Sequence, residues 1–178
     1  TCMVADIIGS SLILQQDRYS GFDLYGTFQS LMLPLIESGG GFDIEFTGDD
    51  VSAKFRDTDS AVNTGRAIHK TLAGWNSSLQ GPALAVRIGL HAVSKSNETH
   101  QRNLPFIIAS RLQSLGRADA MCVTASVNEN ISPLSTFHAQ CLGEHSRGPT
   151  VGSAVFDLFD EKPIFLTKQR VLFERRRQ

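Results

Sequence analysis

The sequence predicts a mixed α/β (α+β) domain, and three observations lead there. Short apolar, β-prone runs alternate with longer runs at helical spacing, glycine and proline clusters punctuate them, and the composition is that of a globular chain. At 178 residues, with 41% hydrophobic and 20% charged residues, the chain is one domain's worth and long enough to bury a full core. Residues 2–8 read as a buried strand. Residues 22–37 set Phe22, Tyr25, Phe28, Met32, Leu35 and Ile36 near helical spacing, with Pro34 requiring a kink or a terminal position. Gly39-Gly40-Gly41 stops that helix. The run FDIEF then leads through a turn at Thr47–Asp50 into VSAKF, a hairpin. Thr58 or Asp59 caps a helix reaching about Trp75, with Ala61, Ala67, Ile68 and Leu72 inward. A polar loop at 76–82 precedes the strand ALAVRIGL, and residues 91–103 are polar and irregular. A helix from about Pro105 to Leu115 has proline in its first turn, and AMCVTAS follows as a strand. The resulting order β-α-β-β-α-β is that of a ferredoxin-like split βαβ unit.

The net charge of −1 gives no general electrostatic reason to bind nucleic acid or a membrane surface. Arg175-Arg176-Arg177 reads as a solvated terminus. No apolar run approaches the ~20 residues of a membrane span, and no signal-peptide pattern opens the chain. Cys2, Cys122 and Cys141 are odd in number, widely spaced and set in runs that look buried. That usage predicts reduced thiols and a cytoplasmic protein. The chain opens almost directly on its first strand, which suits a domain cut from a longer protein.

The chemistry concentrates in two segments. Val4-Ala5-Asp6-Ile7-Ile8-Gly9 and Glu45-Phe46-Thr47-Gly48-Asp49-Asp50 each end a β-prone run with an aspartate beside a glycine. Carboxylates at the ends of neighbouring strands suit hard divalent cations, which prefer one or two carboxylates together with substrate phosphate oxygens. Ile8, Gly9, Ser10 and Ser11 form a turn whose N–H groups and hydroxyls suit phosphate oxygens. With VRIGLH at 86–91 and IIASRLQSLG at 107–116, the pattern points to an enzyme acting on nucleoside triphosphates.

Those four segments, in that order, resemble the catalytic domain of class III nucleotidyl cyclases, the adenylate and guanylate cyclase family. The match runs from about Val4 to Ile131, with a weaker echo in LGEHSRG and VFDLF. The resemblance implies one catalytic domain over residues 1–178, with its core at about 2–131 and C-terminal strands and tail at 132–178. It implies Asp6 and Asp49 as metal ligands for two Mg²⁺ or Mn²⁺ ions, with the Ile7 carbonyl as a further ligand, and Asp50 as a turn residue. Arg111 falls on the arginine that stabilises charge on the transferred phosphate, a role suited to an always-ionised bidentate guanidinium. Arg147 matches a late basic residue that helps hold the triphosphate. Two chains are expected to pair head to tail as a homodimer with shared sites, aspartates from one chain meeting the arginine of the other.

Base choice falls on Glu45 and His100. Adenylate cyclases have lysine where this chain has Glu45, and guanylate cyclases have glutamate. An ionised glutamate only accepts hydrogen bonds, which favours guanine, uracil or cytosine over adenine. His100 can donate or accept and does not settle the base. Three departures stand out: Ile107 replaces the asparagine that orients the ribose, Asn103 stands at a usual glycine, and Val93 replaces the glycine after RIG-x-H. They resemble the looser pattern of the small bacterial pyrimidine cyclases of anti-phage (Pycsar) systems. GTP and a pyrimidine triphosphate both remain open, as does a catalytically silent cyclase-like domain that binds nucleotide or a partner. A diguanylate cyclase or polymerase palm fits less well, because the chain has no GG[DE]EF signature.

Overall fold

The computed structural model describes residues 1–11, 18–78, 83–93, 103–118, 120–133, 136–144 and 153–160. The elements are β1 (Cys2–Ile7), α1 (Arg18–Ser38), β2 (Phe42–Thr47), β3 (Asp50–Lys54), α2 (Thr58–Ser78), β4 (Val86–His91), α3 (Leu104–Leu115), β5 (Met121–Thr124), α4 (Ala125–Asn130), β6 (His138–Glu144) and β7 (Ala154–Phe159). The strands form one sheet in the order β2-β3-β1-β4-β5-β7-β6. Its first four strands are mutually antiparallel, the ferredoxin-like arrangement expected from the element order. The α3 crossover makes β4 and β5 parallel, and β7 and β6 then extend the sheet antiparallel.

Period-two alternation sorts β1 into two faces. Met3, Ala5 and Ile7 join the core beneath α1 and α2, where Phe28, Met32, Ile36, Ile68 and Leu72 are buried. The ring of Phe46 meets that of Phe28 edge-on at 6.2 Å, which fixes the same face of β2. Val4 and Asp6 turn to the opposite face, covered by α3. There the backbone of Gly89 meets the helix so closely that a Cβ would lie 2.0 Å from the Ala109 carbonyl oxygen. Only a residue without a side chain lets α3 sit that close to β4.

Several local expectations change. The first helix begins at Arg18 and runs through Pro34, which lies inside it near the C-terminal end; the side chain of Phe22 lies outside the described part. The helix ends in a Schellman motif: Gly40 takes φ 83°, Gly41 N–H donates to the Ile36 carbonyl (2.8 Å) and Gly40 N–H to that of Glu37 (3.0 Å). The cap of α2 is Asp57, not Thr58 or Asp59. Its carboxylate accepts from the Ser60 N–H at 2.7 Å and the Ser60 hydroxyl at 2.8 Å, leaving Thr58 buried in the first turn. Ala67 is only half-buried, while Ala61, Ile68 and Leu72 point inward. The helix continues to Ser78, into the stretch read as loop. Residues 125 and 126, expected in a strand, begin α4 instead. Cys2 and Cys122 are buried free thiols, but Cys141 is exposed on the edge strand β6. Among the described residues, no helix is long and apolar enough to cross a membrane.

Candidate active site

The register across three strands builds the acidic end of the site. Asp6 on β1 is paired with Asp50 on β3 and with Arg87 on β4. Directly paired residues point to the same face of a sheet, so these three side chains form a row on the α3 side. The β2–β3 connection is a tight turn in which Gly48 adopts φ 66°, and it carries Asp49 to the end of β1. Two bonds tie it there: Ile7 N–H donates to the Asp49 carbonyl at 3.1 Å, and the Ser10 hydroxyl donates to the Asp49 carboxylate. One oxygen from each of Asp6, Asp49 and Asp50 lies within 4.8 Å of the others.

Three carboxylates this close repel one another. Burial, then the charge of Asp49, raises the Asp6 carboxyl above its ordinary range, although Arg87 bonds it at 3.1 Å and pulls the other way. Asp50 is pushed up to about 6, first by burial and then by the charges of Asp6 and Asp49. Its Oδ1 is buried and has no hydrogen-bond partner among the described residues. An all-oxygen donor set whose three carboxylates outnumber the one guanidinium beside them fits a hard divalent cation. Asp50, expected to be a turn residue, belongs to this cluster.

The second half of the site is a cleft of about 960 Å³ between the β2–β3 hairpin and α3. Glu45, Thr47, Asp50 and Ser52 line its sheet side, and Phe106, Ile107, Ser110 and Arg111 its helix side. Glu45 and Arg111, far apart in sequence, thus face one cavity, and both are exposed. Asp6 and Asp49 are not among the residues that line it. Ile107 is 49% exposed, an apolar side chain open to the cleft. Asn103 also lines it, whereas Val93 does not.

The turn after β1 is only partly free for an anion. Gly9 takes φ 79°, but the Ile8 N–H is already donated to the Ala85 carbonyl at 2.8 Å. Ser10 is buried with its hydroxyl committed to Asp49, while Ser11 is exposed. His100 and Arg147 lie outside the described residues. Neither Asp50, expected as a turn residue, nor Arg87 is among the site residues the sequence predicts. A signal for Asp50 was present: the alternation of Val51, Ala53 and Phe55 against Asp50, Ser52 and Lys54 sets Asp50 on the polar face of its strand.

No protein-family model and no curated protein matches the sequence. Solved structures do match in fold. A bacterial light-regulated adenylyl cyclase aligns with a TM-score of 0.70 at 20% identity, over 98% of this chain and 56% of that one. The chain therefore spans little more than half the length of that protein. The adenylyl cyclase CyaB from P. aeruginosa aligns with a TM-score of 0.72 at 18% identity, over 90% of this chain and 93% of the other. The guanylyl cyclase Cya2 aligns with a TM-score of 0.68 at 17% identity, over 93% and 94%. The chain has the fold of the class III adenylyl and guanylyl cyclase catalytic domains.

Proposed function

We propose that this chain is the catalytic domain of a nucleotidyl cyclase, converting a nucleoside triphosphate into its 3′,5′-cyclic nucleotide and pyrophosphate for signalling, with GTP, UTP or CTP favoured over ATP. The carrying observation is the three-carboxylate cluster at the end of β1 and the hairpin, beside a cleft holding Glu45 and Arg111 on the fold of known cyclases. In the reaction, the substrate's 3′-hydroxyl loses its proton and attacks its own α-phosphorus, and the bond to pyrophosphate breaks. Asp6 and Asp49, with the Ile7 carbonyl, would hold two Mg²⁺ or Mn²⁺ ions, which when bound make that hydroxyl more acidic and neutralise the leaving group.

Arg111 donates to the non-bridging oxygens of the α-phosphate, where charge grows in the transition state. Gly9 and Ser11 offer polar groups to the outer phosphates, and Ser10 holds Asp49 in position. Arg147 adds a cation for the triphosphate, and His100 a second contact to the base. Glu45 accepts hydrogen bonds from the base edge. Because attack is intramolecular, the protein contributes mainly orientation and charge stabilisation. The site is shared in a head-to-tail homodimer, with the aspartates of one chain meeting the cleft of the other.

The test is incubation with each of the four ribonucleoside triphosphates and Mn²⁺, with the product identified by mass. Asp6→Ala and Asp49→Ala should each abolish turnover and leave the fold intact. Near-wild-type activity in either variant would refute the metal assignment for that residue. The exposed Ile107 favours one other reading, a silent domain that binds nucleotide without turning it over. Binding without any cyclic product in that panel would decide for it.

A further inference from the structure

A positive side chain stands in the row of carboxylates, and the proposed reaction gives it no part. Arg87 is the second residue of β4, a strand in which Val86, Ile88 and Leu90 are buried. A guanidinium in such a strand is costly unless an acid meets it. The register supplies one: Arg87 pairs with Asp6, which pairs on its other side with Asp50, so all three side chains leave the same face. The Arg87 guanidinium donates to Asp6 Oδ2 at 3.1 Å. Its Nε is buried and makes no hydrogen bond among the described residues. The Arg87 and Asp6 side chains are 31% and 14% exposed, so water and salt screen this pair less than an open surface pair.

Asp49 completes the group, one oxygen of each aspartate lying within 4.8 Å of the others. With all of them ionised, three carboxylates and one guanidinium leave two negative charges, which a single divalent cation balances. The guanidinium stands at the end of the row and engages one oxygen of Asp6, and a carboxylate has a second oxygen to offer a metal. We infer that Arg87 is a positioning residue that acts as the cluster's own counter-cation: it steadies the three carboxylates in the metal-free protein and, by the same charge, weakens their hold on a divalent cation. The inference rests on the metal assignment within the cyclase reading and deepens it. Attraction to Asp6 lowers the free energy of the metal-free fold, and repulsion of an incoming cation raises that of the loaded one. An uncharged residue of similar reach forfeits the first effect and relieves the second. A purely structural arginine would behave differently. Its loss would weaken the fold with and without metal alike, and would leave cation affinity unchanged or lower it through a displaced Asp6.

The experiment measures Mn²⁺ binding without nucleotide, by calorimetry, and thermal midpoints in chelator and in saturating Mn²⁺, all at pH 7.5. The proteins are the wild type, Arg87→Gln, Arg87→Lys and the double variant Arg87→Gln/Asp50→Asn. Arg87→Gln keeps a donor for Asp6 and removes the charge. It should melt about 2–4 °C below wild type in chelator and bind Mn²⁺ about tenfold more tightly. Linkage then requires that saturating Mn²⁺ remove most of its thermal deficit. Arg87→Lys keeps the charge and should bind Mn²⁺ within about threefold of wild type. The double variant removes one charge of each sign, so its midpoint in chelator and its affinity should return towards wild type, and it carries the test if Arg87→Gln alone fails to fold. The inference is overturned if Arg87→Gln binds Mn²⁺ no more tightly than a wild type that does bind it, if its thermal deficit persists in Mn²⁺, or if the double variant recovers neither quantity. Absence of Mn²⁺ binding by wild type and Arg87→Gln alike defeats the metal assignment, and this inference with it.

Discussion

Replacing Asp50 by asparagine should make the metal-free protein more stable at neutral pH. The native carboxyl sits at about 6 against an ordinary value of 3.8, because burial and the charges of Asp6 and Asp49 disfavour its ionised form. Below about pH 4 the group is protonated in both folded and unfolded chains and contributes nothing. Between about pH 4 and 6 the unfolded chain releases this proton first, so wild-type stability falls as pH rises. Above about 6 the penalty is complete. At 1.36 kcal/mol per pH unit, the displacement would amount to ~3 kcal/mol for a wholly buried group. Asp50 is only half-buried, and solvent screening reduces the figure to about 1 kcal/mol. Asparagine keeps the shape and carries no charge. Its thermal midpoint in chelator should therefore exceed the wild type's by about 2–4 °C at pH 7.5 and converge with it near pH 4. Adding Mn²⁺ should reverse the order, since the cation relieves the repulsion that the substitution has already removed. A variant no more stable than wild type at pH 7.5, or a gain independent of pH, would refute the reasoning.

Other outcomes follow from the same geometry. Asp49→Ala and Arg111→Ala should each be inactive alone, and mixing them after subunit exchange should restore about a quarter of wild-type activity, because half the dimers carry one intact site of two. No recovery after demonstrated exchange would show that each site lies within one chain. Glu45→Lys should weaken the preferred triphosphate by about two decades and move relative preference toward ATP, since the carboxylate's complementarity to the base is lost; ATP as the best wild-type substrate would sink that argument. Gly89→Ala drives a Cβ to 2.0 Å from the Ala109 carbonyl oxygen and 2.6 Å from the Gln113 nitrogen. It should cost about 2–3 kcal/mol in denaturant unfolding, and an unchanged midpoint would mean that α3 can move freely.

The sequence was most readable where backbone chemistry is local. Gly40, within the triple glycine after Ser38, and Gly48 in the hairpin turn are positions where positive φ is needed, and glycine announces both. The ferredoxin-like arrangement of β2, β3, β1 and β4 also follows from the element order, whereas the places of β5, β7 and β6 do not. Most of what escaped depended on pairing between distant segments, the α2 cap being a local exception. Asp50 looked like a turn residue because its neighbours Gly48 and Asp49 are; only its register against Asp6 shows that it faces the same cluster. Arg87 lies in an apolar strand and gains its role from the same row. The α2 cap moved back by one because Asp57 bonds Ser60 twice, while Asp59 is drawn away to the Ser132 N–H at 2.9 Å. Exposure of Cys141 reflects its place on the outermost strand, which no local pattern reveals.

The outermost strand at the other margin, β2, has a consequence for how such a site can change. Among the described residues, Glu45 rides on a strand hydrogen-bonded on one side only, with its side chain in the open. Arg111 stands on a helix clamped against β4 at Gly89. The residue assigned to tell one base from another can therefore be exchanged without disturbing a packed interior, whereas the residue assigned to the phosphate cannot be shifted without moving a helix. Under the proposed cyclase function, recognition and chemistry would be mounted on parts of unequal tolerance, and substrate preference would be free to drift over a scaffold that holds its reactive group still.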